Sequence, residues 1–258
     1  MSEQKEETVN NDYASFDISM SGNTELKEVF GVMSEIVDDV TFTIDPEGMS
    51  FRAMDPSHVC LVDVTIPNAC FEKYEVSKEG SIGLRVEKVF KIIKALKKKD
   101  TIRLTTTDDY QLSISTKYNK TKLRMIEASK VNTPLPKISY NSKVGTMLED
   151  FKQALKQINL VSDYLTLETS NNIFKLSGSG DRGSNEITFE KGMQEMPEID
   201  VRENSKATYS LEYILAVVKH LNNGTLILEY SEKMPLRLEY KITNIGKIHF
   251  YLAPRVEN

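Results

Sequence analysis

The chain repeats itself at an interval of 125 residues. "RVEKVFKIIKALKKKDTIRL", from Arg85, aligns with "SLEYILAVVKHLNNGTLIL", from Ser210, so that Glu87 falls on Glu212, Lys94 on Lys219 and Leu96 on Leu221. At the same offset, "LKEVFGVMSEIVDDVTFTIDPEGMSF" from Leu26 falls on "FKQALKQINLVSDYLTLETSNNIFKL" from Phe151. With one single-residue slip, "QLSISTK" (111–117) falls on "PLRLEYK" (235–241) and "KLRMI" (122–126) on "KIHFY" (247–251). Identity is low, but the apolar pattern and the order of blocks agree. A duplication of this length predicts two copies of one domain, 15–127 and 140–252, each large enough for its own core.

Each copy carries two helical patterns. Leu26, Val29, Phe30, Met33, Ile36 and Val37 recur at helical spacing, as do Val86, Val89, Phe90, Ile93 and Leu96. The second copy has Leu148, Phe151, Ala154, Leu155, Ile158 and Val161, then Leu211, Ile214, Leu215, Val218 and Leu221. Between them run short alternating segments such as "VTFTI", "VCLVDVTI", "TIRLTTT", "YLTLET" and "TLILEY". The expected fold is α+β: two topologically equivalent domains in which helices cover one face of antiparallel sheets.

"EASKVNTPLPK" (127–137) has two prolines and no periodicity, so residues 128–139 are expected to be an interdomain linker. The polar, acidic start predicts a disordered tail over 1–14, and 253–258 form a C-terminal tail. No apolar signal core and no run of about 18 apolar residues is present, which predicts an intracellular protein without a membrane partner.

Catalytic patterns are missing. His58, His220 and His249 are scattered, and there is no HExxH pair, GKS/T loop or nucleophile elbow. "SGSGDRGS" (177–184) lies between two strand patterns and reads as a hairpin turn; Asp55, before Pro56, reads as a turn residue bonding its own backbone. Cys60 and Cys70 have no metal-ligand spacing and read as packing residues. No catalytic residue, metal or cofactor is expected, and the chain is not read as an enzyme.

Charge is more informative. Net charge is −5, yet the polar faces of all four helices carry lysines: Lys27; Lys88, Lys91, Lys94 and Lys97–Lys99; Lys152 and Lys156; Lys219. On one helix this means only solubility. If the four lie side by side, the face they share suits a polyanion such as duplex nucleic acid, and the residues alone leave both readings open. That face is poor in arginine and has no base-reading motif or exposed series of stacking aromatics, so contacts would be ammonium to phosphate, weak, salt-sensitive and indifferent to sequence.

At "MSFRAMDPSHVCLVDVTI" (49–66) and "MPLRLEYKITNIGKIHFYLAPRVEN" (234–258) the chain resembles the DNA sliding clamps of the proliferating cell nuclear antigen family, especially the archaeal type. The resemblance covers about 15–258. It implies the DNA-clamp fold, a ring of three subunits around duplex DNA with helices lining the hole, and a role as a polymerase processivity factor. Carried over by position, the DNA-facing residues are Lys27, Lys91, Lys94, Lys156 and Lys219. Glu28 and Gln153 stand where family members often have a base, which makes the first and third helices weaker contributors.

The family's partner groove maps onto Met54, His58, Val59, Leu135, Pro136, Pro235, Tyr251, Ala253 and Pro254. It receives QxxLxxFF-type peptides of a replicative DNA polymerase, clamp loader, flap endonuclease and DNA ligase. Subunit contacts map onto edge strands at about 117–125 and 182–190. The resemblance leaves open a homotrimer or one subunit of a mixed ring. It places the protein in the cytoplasm of an archaeal-type cell, or in the nucleus of a eukaryote.

Overall fold

A computed structural model of the chain describes residues 13–129, 133–170, 172–196, 198–243 and 245–255. The first domain runs β1 (Ser15–Ser21), α1 (Thr24–Ser34), β2 (Asp39–Asp45), β3 (Gly48–Met54), β4 (Cys60–Pro67), β5 (Lys73–Lys78), β6 (Gly80–Arg85), α2 (Val86–Ala95), β7 (Thr101–Thr107), β8 (Gln111–Ser115) and β9 (Lys120–Arg124). The second runs β10 (Ser142–Met147), α3 (Leu148–Ile158), β11 (Tyr164–Ser170), β12 (Ile173–Gly180), β13 (Gly183–Glu190), β14 (Glu198–Val201), β15 (Ser205–Ser210), α4 (Leu211–Val218), β16 (Thr225–Tyr230), β17 (Leu236–Lys241) and β18 (Lys247–Leu252). The repeat is visible in the elements: β2 and β11, β3 and β12, β6 and β15, and α2 and α4 each start at the 125-residue offset.

The strands do not close into one sheet per copy. A five-stranded sheet, β5-β1-β7-β8-β9, belongs to the first domain and a four-stranded one, β13-β12-β11-β15, to the second. The third sheet has nine strands, β14-β10-β16-β17-β18-β4-β3-β2-β6, and crosses the domain boundary where β18 pairs antiparallel with β4, from Lys247↔Thr65 to Leu252↔Cys60. Alternation explains why it can. Ile248, Phe250 and Leu252 of β18 and Val62, Val64 and Ile66 of β4 all point into one buried core, so the two copies share a continuous apolar layer.

The helices lie against this core by their apolar stripes. On α2, Val86, Val89 and Ile93 are buried while Lys88, Lys91 and Lys94 are exposed. The Asn23 amide, itself buried, donates to Ile93 O (3.2 Å) and Leu96 O (2.7 Å), satisfying carbonyls that the end of α2 leaves open and fixing it to the start of α1.

Two residues expected in the N-terminal tail belong to the first domain instead. Ala14 is fully buried, and Tyr13 bridges to Ser81 while its hydroxyl donates to Thr107 O (2.8 Å). A buried alanine and a paired backbone cannot be part of a solvated tail. Residues 1–12, and with them the rest of that expectation, lie outside the described residues, as do 130–132 of the linker and 256–258 of the C-terminal tail. Residues 133–140 contain no helix or strand. The hairpin at 177–184 turns at Asp181-Arg182, with Gly180 opposite Gly183.

Candidate nucleic-acid interface and partner groove

The four helices form one row. α2 packs on α1, α1 on α4 and α4 on α3, so the row crosses from one domain to the other. Its middle contact is close: a Cβ on buried Gly31 of α1 would lie 2.5 Å from His220 Nδ1 at the end of α4. His220 is fixed there by Glu35, 2.8 Å from Nε2, and by an edge-on contact with Phe90 (5.6 Å). Lys219 also reaches Glu35 (2.8 Å). Burial raises the Glu35 carboxyl, but Lys219 and His220 outweigh it and hold it below its ordinary value.

This row brings the lysines carried over by resemblance onto one assembly, in unequal states. Lys94, Lys156 and Lys219 are exposed and Lys27 is half-buried. Lys91 is paired with Glu87 one turn back, Lys219 with Glu35, and Lys94 sits over the Phe90 ring. Lys152 is drawn away from solvent: its ammonium donates to Leu221 O (2.7 Å) and joins α3 to the end of α4.

Glu28, expected at a DNA-facing position, does not face that way. It is 2% exposed and accepts hydrogen bonds from Tyr240 Oη (2.8 Å), Asn222 N (2.9 Å) and Asn222 Nδ2 (2.8 Å) of the other domain. Burial raises its carboxyl above the ordinary range despite those donors. Its side chain joins the two domains through Asn222 and Tyr240.

The expected groove lies where the two domains' sheets join. The Asp55 carboxylate accepts N–H bonds from Ser57 (3.1 Å), Val59 (2.7 Å) and Cys60 (2.7 Å), forming the turn that was expected of it. That turn presents half-buried Met54 and Val59 and exposed His58, the last at φ +58°. Ala253 N–H donates to Val59 O (2.9 Å), and pairing of Leu236 with Leu252 brings Pro235 beside Ala253. Tyr251 is 8% exposed, so it forms the floor of this region.

The linker approaches from the other side. Arg52 donates to Asp63 (2.8 Å) and to Thr133 O (2.9 Å), and a cavity of about 990 Å³ lies between the linker and the sheet, with Met54 and His58 in its wall. Leu135 is half-buried and Pro136 exposed on the linker side.

Three residues of this region escaped the sequence. Tyr213 Oη donates to Asp55 Oδ2 (3.4 Å), fastening the turn to α4. Arg255 lies over the Tyr164 ring (3.8 Å), and its N–H donates to Thr208 O (2.7 Å). Each contact joins segments far apart in sequence, and only the amphipathic character of Tyr213 and Tyr164 hinted at it.

A polar network underlies the groove on the outer face of the nine-stranded sheet. His249 joins Glu239 (3.0 Å) to Asp63 (3.7 Å), while Arg237 reaches Glu229 (3.0 Å) and Glu239 (2.9 Å). Burial raises the Glu239 carboxyl, but His249, Lys247 and Arg237 together hold it at about 2.

The two segments expected at subunit contacts are edge strands, β9 of the five-stranded sheet and β13 of the four-stranded one. Lys120, Lys122 and Arg124 are exposed along β9; Glu186, Thr188 and Glu190 are exposed along β13, with Lys175 3.3 Å from Glu186. Among the described residues no group of three His, Cys, Asp or Glu is placed to hold a metal, and no helix is long and apolar enough to cross a membrane.

Residues 15–135 match the model of the proliferating cell nuclear antigen N-terminal domain, and residues 134–255 that of its C-terminal domain. The chain is 43% identical over 246 residues to the DNA polymerase sliding clamp of Nitrosopumilus maritimus, covering 94% of this chain and 99% of the relative. It is 33% identical over 247 residues to that of Thermococcus onnurineus, with the same coverages. Its fold matches PCNA from Thermococcus kodakaraensis with a TM-score of 0.90 at 24% identity, over 93% of this chain and all of that one. It also matches a structure of the C-terminal region of FEN-1 bound to A. fulgidus PCNA, with a TM-score of 0.86 at 25% identity, over 94% and 99% of the two chains.

Proposed function

This chain belongs to the proliferating cell nuclear antigen family and is a DNA polymerase sliding clamp; we propose that it works as a ring of three identical copies. The observation that carries this reading is the row α2-α1-α4-α3, which continues one lysine-bearing helical face across both domains. Three such rows, closed head to tail, would line a hole with ammonium groups. A closed ring holds duplex DNA by topology, so its phosphate contacts can be weak and mobile, and sliding follows from that weakness.

Identical copies are favoured because both complementary edges are on this one chain: basic β9 and a β13 that carries Glu186 and Glu190. Joining them removes two open strand edges. The family is one of non-catalytic processivity factors, and we take this chain to act by tethering alone.

The groove at Met54, His58, Val59, Leu135, Pro136, Pro235, Tyr251, Ala253 and Pro254 would hold short QxxLxxFF-type peptides. A relative binds the C-terminal region of FEN-1, which supports a flap endonuclease as one partner. Replicative polymerase, clamp loader and DNA ligase would compete for the same groove.

Retention on nicked circular DNA tests the ring. The protein should stay bound after loading and leave when the circle is cut. Equal escape from circular and linear DNA would overturn topological binding.

A further inference from the structure

More than half of the large exposed apolar side chains among the described residues gather at two edge strands. Among the described residues seven large ones stand out, and four of them, Tyr118, Leu160, Ile173 and Met193, lie at the ends of the two edge strands. Tyr118, 85% exposed, is in the turn that leads into β9, while Ile173 pairs with Glu190 and Met193 N–H bonds to Glu190 O at the end of β13. Leu160, 70% exposed, follows α3; its neighbour Val161 lies against Gly180 and Gly183 at the start of β13.

The other edge offers a recess. Between α2 and β9 is a cavity of about 220 Å³ with a floor of Leu84, Val89, Leu123 and Met125 and a lip of Arg85, Lys88 and Arg124. Three of the four floor residues are almost wholly buried, so the recess is preformed and apolar. It lies at the C-terminal end of β9.

If β9 pairs with β13 of a second copy antiparallel, as each does with its neighbour within the chain, β9's C-terminal end comes beside β13's start. That is the end near which exposed Leu160 lies, since its neighbour Val161 is beside Gly180 and Gly183. At the other end, Lys120 and Tyr118 would meet Glu190, Ile173 and Met193. The alternation agrees: a sheet continued across the joint puts Leu123 with Asn185 and Ile187 on the helix side, and the exposed Lys120, Lys122 and Arg124 with Glu186 and Glu190 on the other.

We propose that Leu160 of one copy fills the α2–β9 recess of the next and is the principal apolar anchor of the subunit joint. The occupant is a second copy of this chain because the charge runs of β9 and β13 complement each other and because anchor and recess fall at matching strand ends. This inference rests on the ring reading and adds to it the residue on which closure depends. An exposed leucine left in water contributes nothing to the monomer, whereas burying it in a preformed pocket is the arrangement that makes interface hot spots.

The test uses the full chain and three measurements. By light scattering at micromolar concentration, wild type and Leu160→Met should have the trimeric mass. Leu160→Asp should be monomeric, folded by circular dichroism, and weakened in self-association by at least about tenfold. With Lys88→Cys and Leu160→Cys combined, a short bismaleimide should link copies into covalent trimers that neither single variant gives. A Leu160→Asp protein that remains trimeric, or a trimeric double-cysteine protein that fails to cross-link, overturns the anchor and leaves the ring standing. A monomeric wild type overturns the ring and the anchor together.

Discussion

Gly31 on α1 faces His220 at the end of α4 across the domain junction so closely that a β-carbon on residue 31 would lie 2.5 Å from the imidazole Nδ1. A Gly→Ala change inside a helix ordinarily stabilises by about 0.5–1 kcal/mol. Here the new methyl would meet an imidazole held by Glu35 and Phe90, and overpacking of that kind costs about 1–3 kcal/mol. Gly31→Ala should therefore lower stability in urea by roughly 1 kcal/mol. Made on a His220→Ala background, the same change should stabilise. Stabilisation by Gly31→Ala in the wild-type background would show that the seam yields.

If the helix row lines the hole of the proposed ring, its lysines should contribute unequally. Lys91 and Lys219 carry acidic partners, Glu87 and Glu35, that would cancel part of their field at the phosphates, whereas Lys94 and Lys156 are exposed and have no carboxylate partner among the described residues. Lys94→Gln and Lys156→Gln should each reduce the salt slope of DNA residence by about 1, and Lys91→Gln by less. Glu87→Gln should lengthen residence. Oligomer mass should stay constant throughout, and unchanged residence on circular DNA would remove Lys94 and Lys156 from the lining.

Two carboxylates give opposite pH signatures. Glu239 is held at about 2, below its unfolded value, so the stability it contributes is complete above the unfolded value and drains away as pH falls towards 2. Glu28 is raised in the fold, so folding favours its protonated form and stability declines as pH rises through its titration. Glu239→Gln should destabilise at pH 7 and flatten the acid limb of the stability curve. Glu28→Gln, which keeps an acceptor for Asn222 and Tyr240, should be more stable than wild type at pH 8 and equal to it near pH 4. Denaturation across that range reads both signs.

The duplication, the strand segments and the lysine faces were legible in the sequence because each depends on local periodicity. "TIRLTTT" and "TLILEY" coincide with β7 and β16, and the stripe of Val86, Val89 and Ile93 is the buried face of α2. What escaped was set by contacts between copies of the repeat. Glu28 has an ordinary place on a helix, and only Asn222 and Tyr240, brought in from the second domain, decide that it is buried. The nine-stranded sheet is illegible for the same reason, since β4 and β18 are both central-strand sequences and nothing local says that they pair. The contact of Tyr213 with the Asp55 turn was illegible because the two residues are 158 positions apart.

If the proposed groove binds peptide, its residues divide into those that would only bind and those that also hold the fold, and the two kinds should separate by measurement. Leu135 is half-buried on a segment without regular structure, so Leu135→Ala should leave thermal stability within about 0.5 kcal/mol of wild type while weakening a QxxLxxFF peptide about tenfold or more. Tyr251 is 8% exposed in β18, paired with Leu61 and Arg237 at the domain joint, and its truncation should cost about 3 kcal/mol of stability as well as peptide affinity. Tyr213→Phe removes only the hydroxyl that fastens the Asp55 turn. It should weaken the peptide several-fold by loosening Met54, His58 and Val59, with little effect on melting. Calorimetric titration beside thermal melts distinguishes these outcomes. Full peptide affinity in Leu135→Ala would move the binding surface off the linker, and full affinity in Tyr213→Phe would show that the turn is held by Asp55 alone.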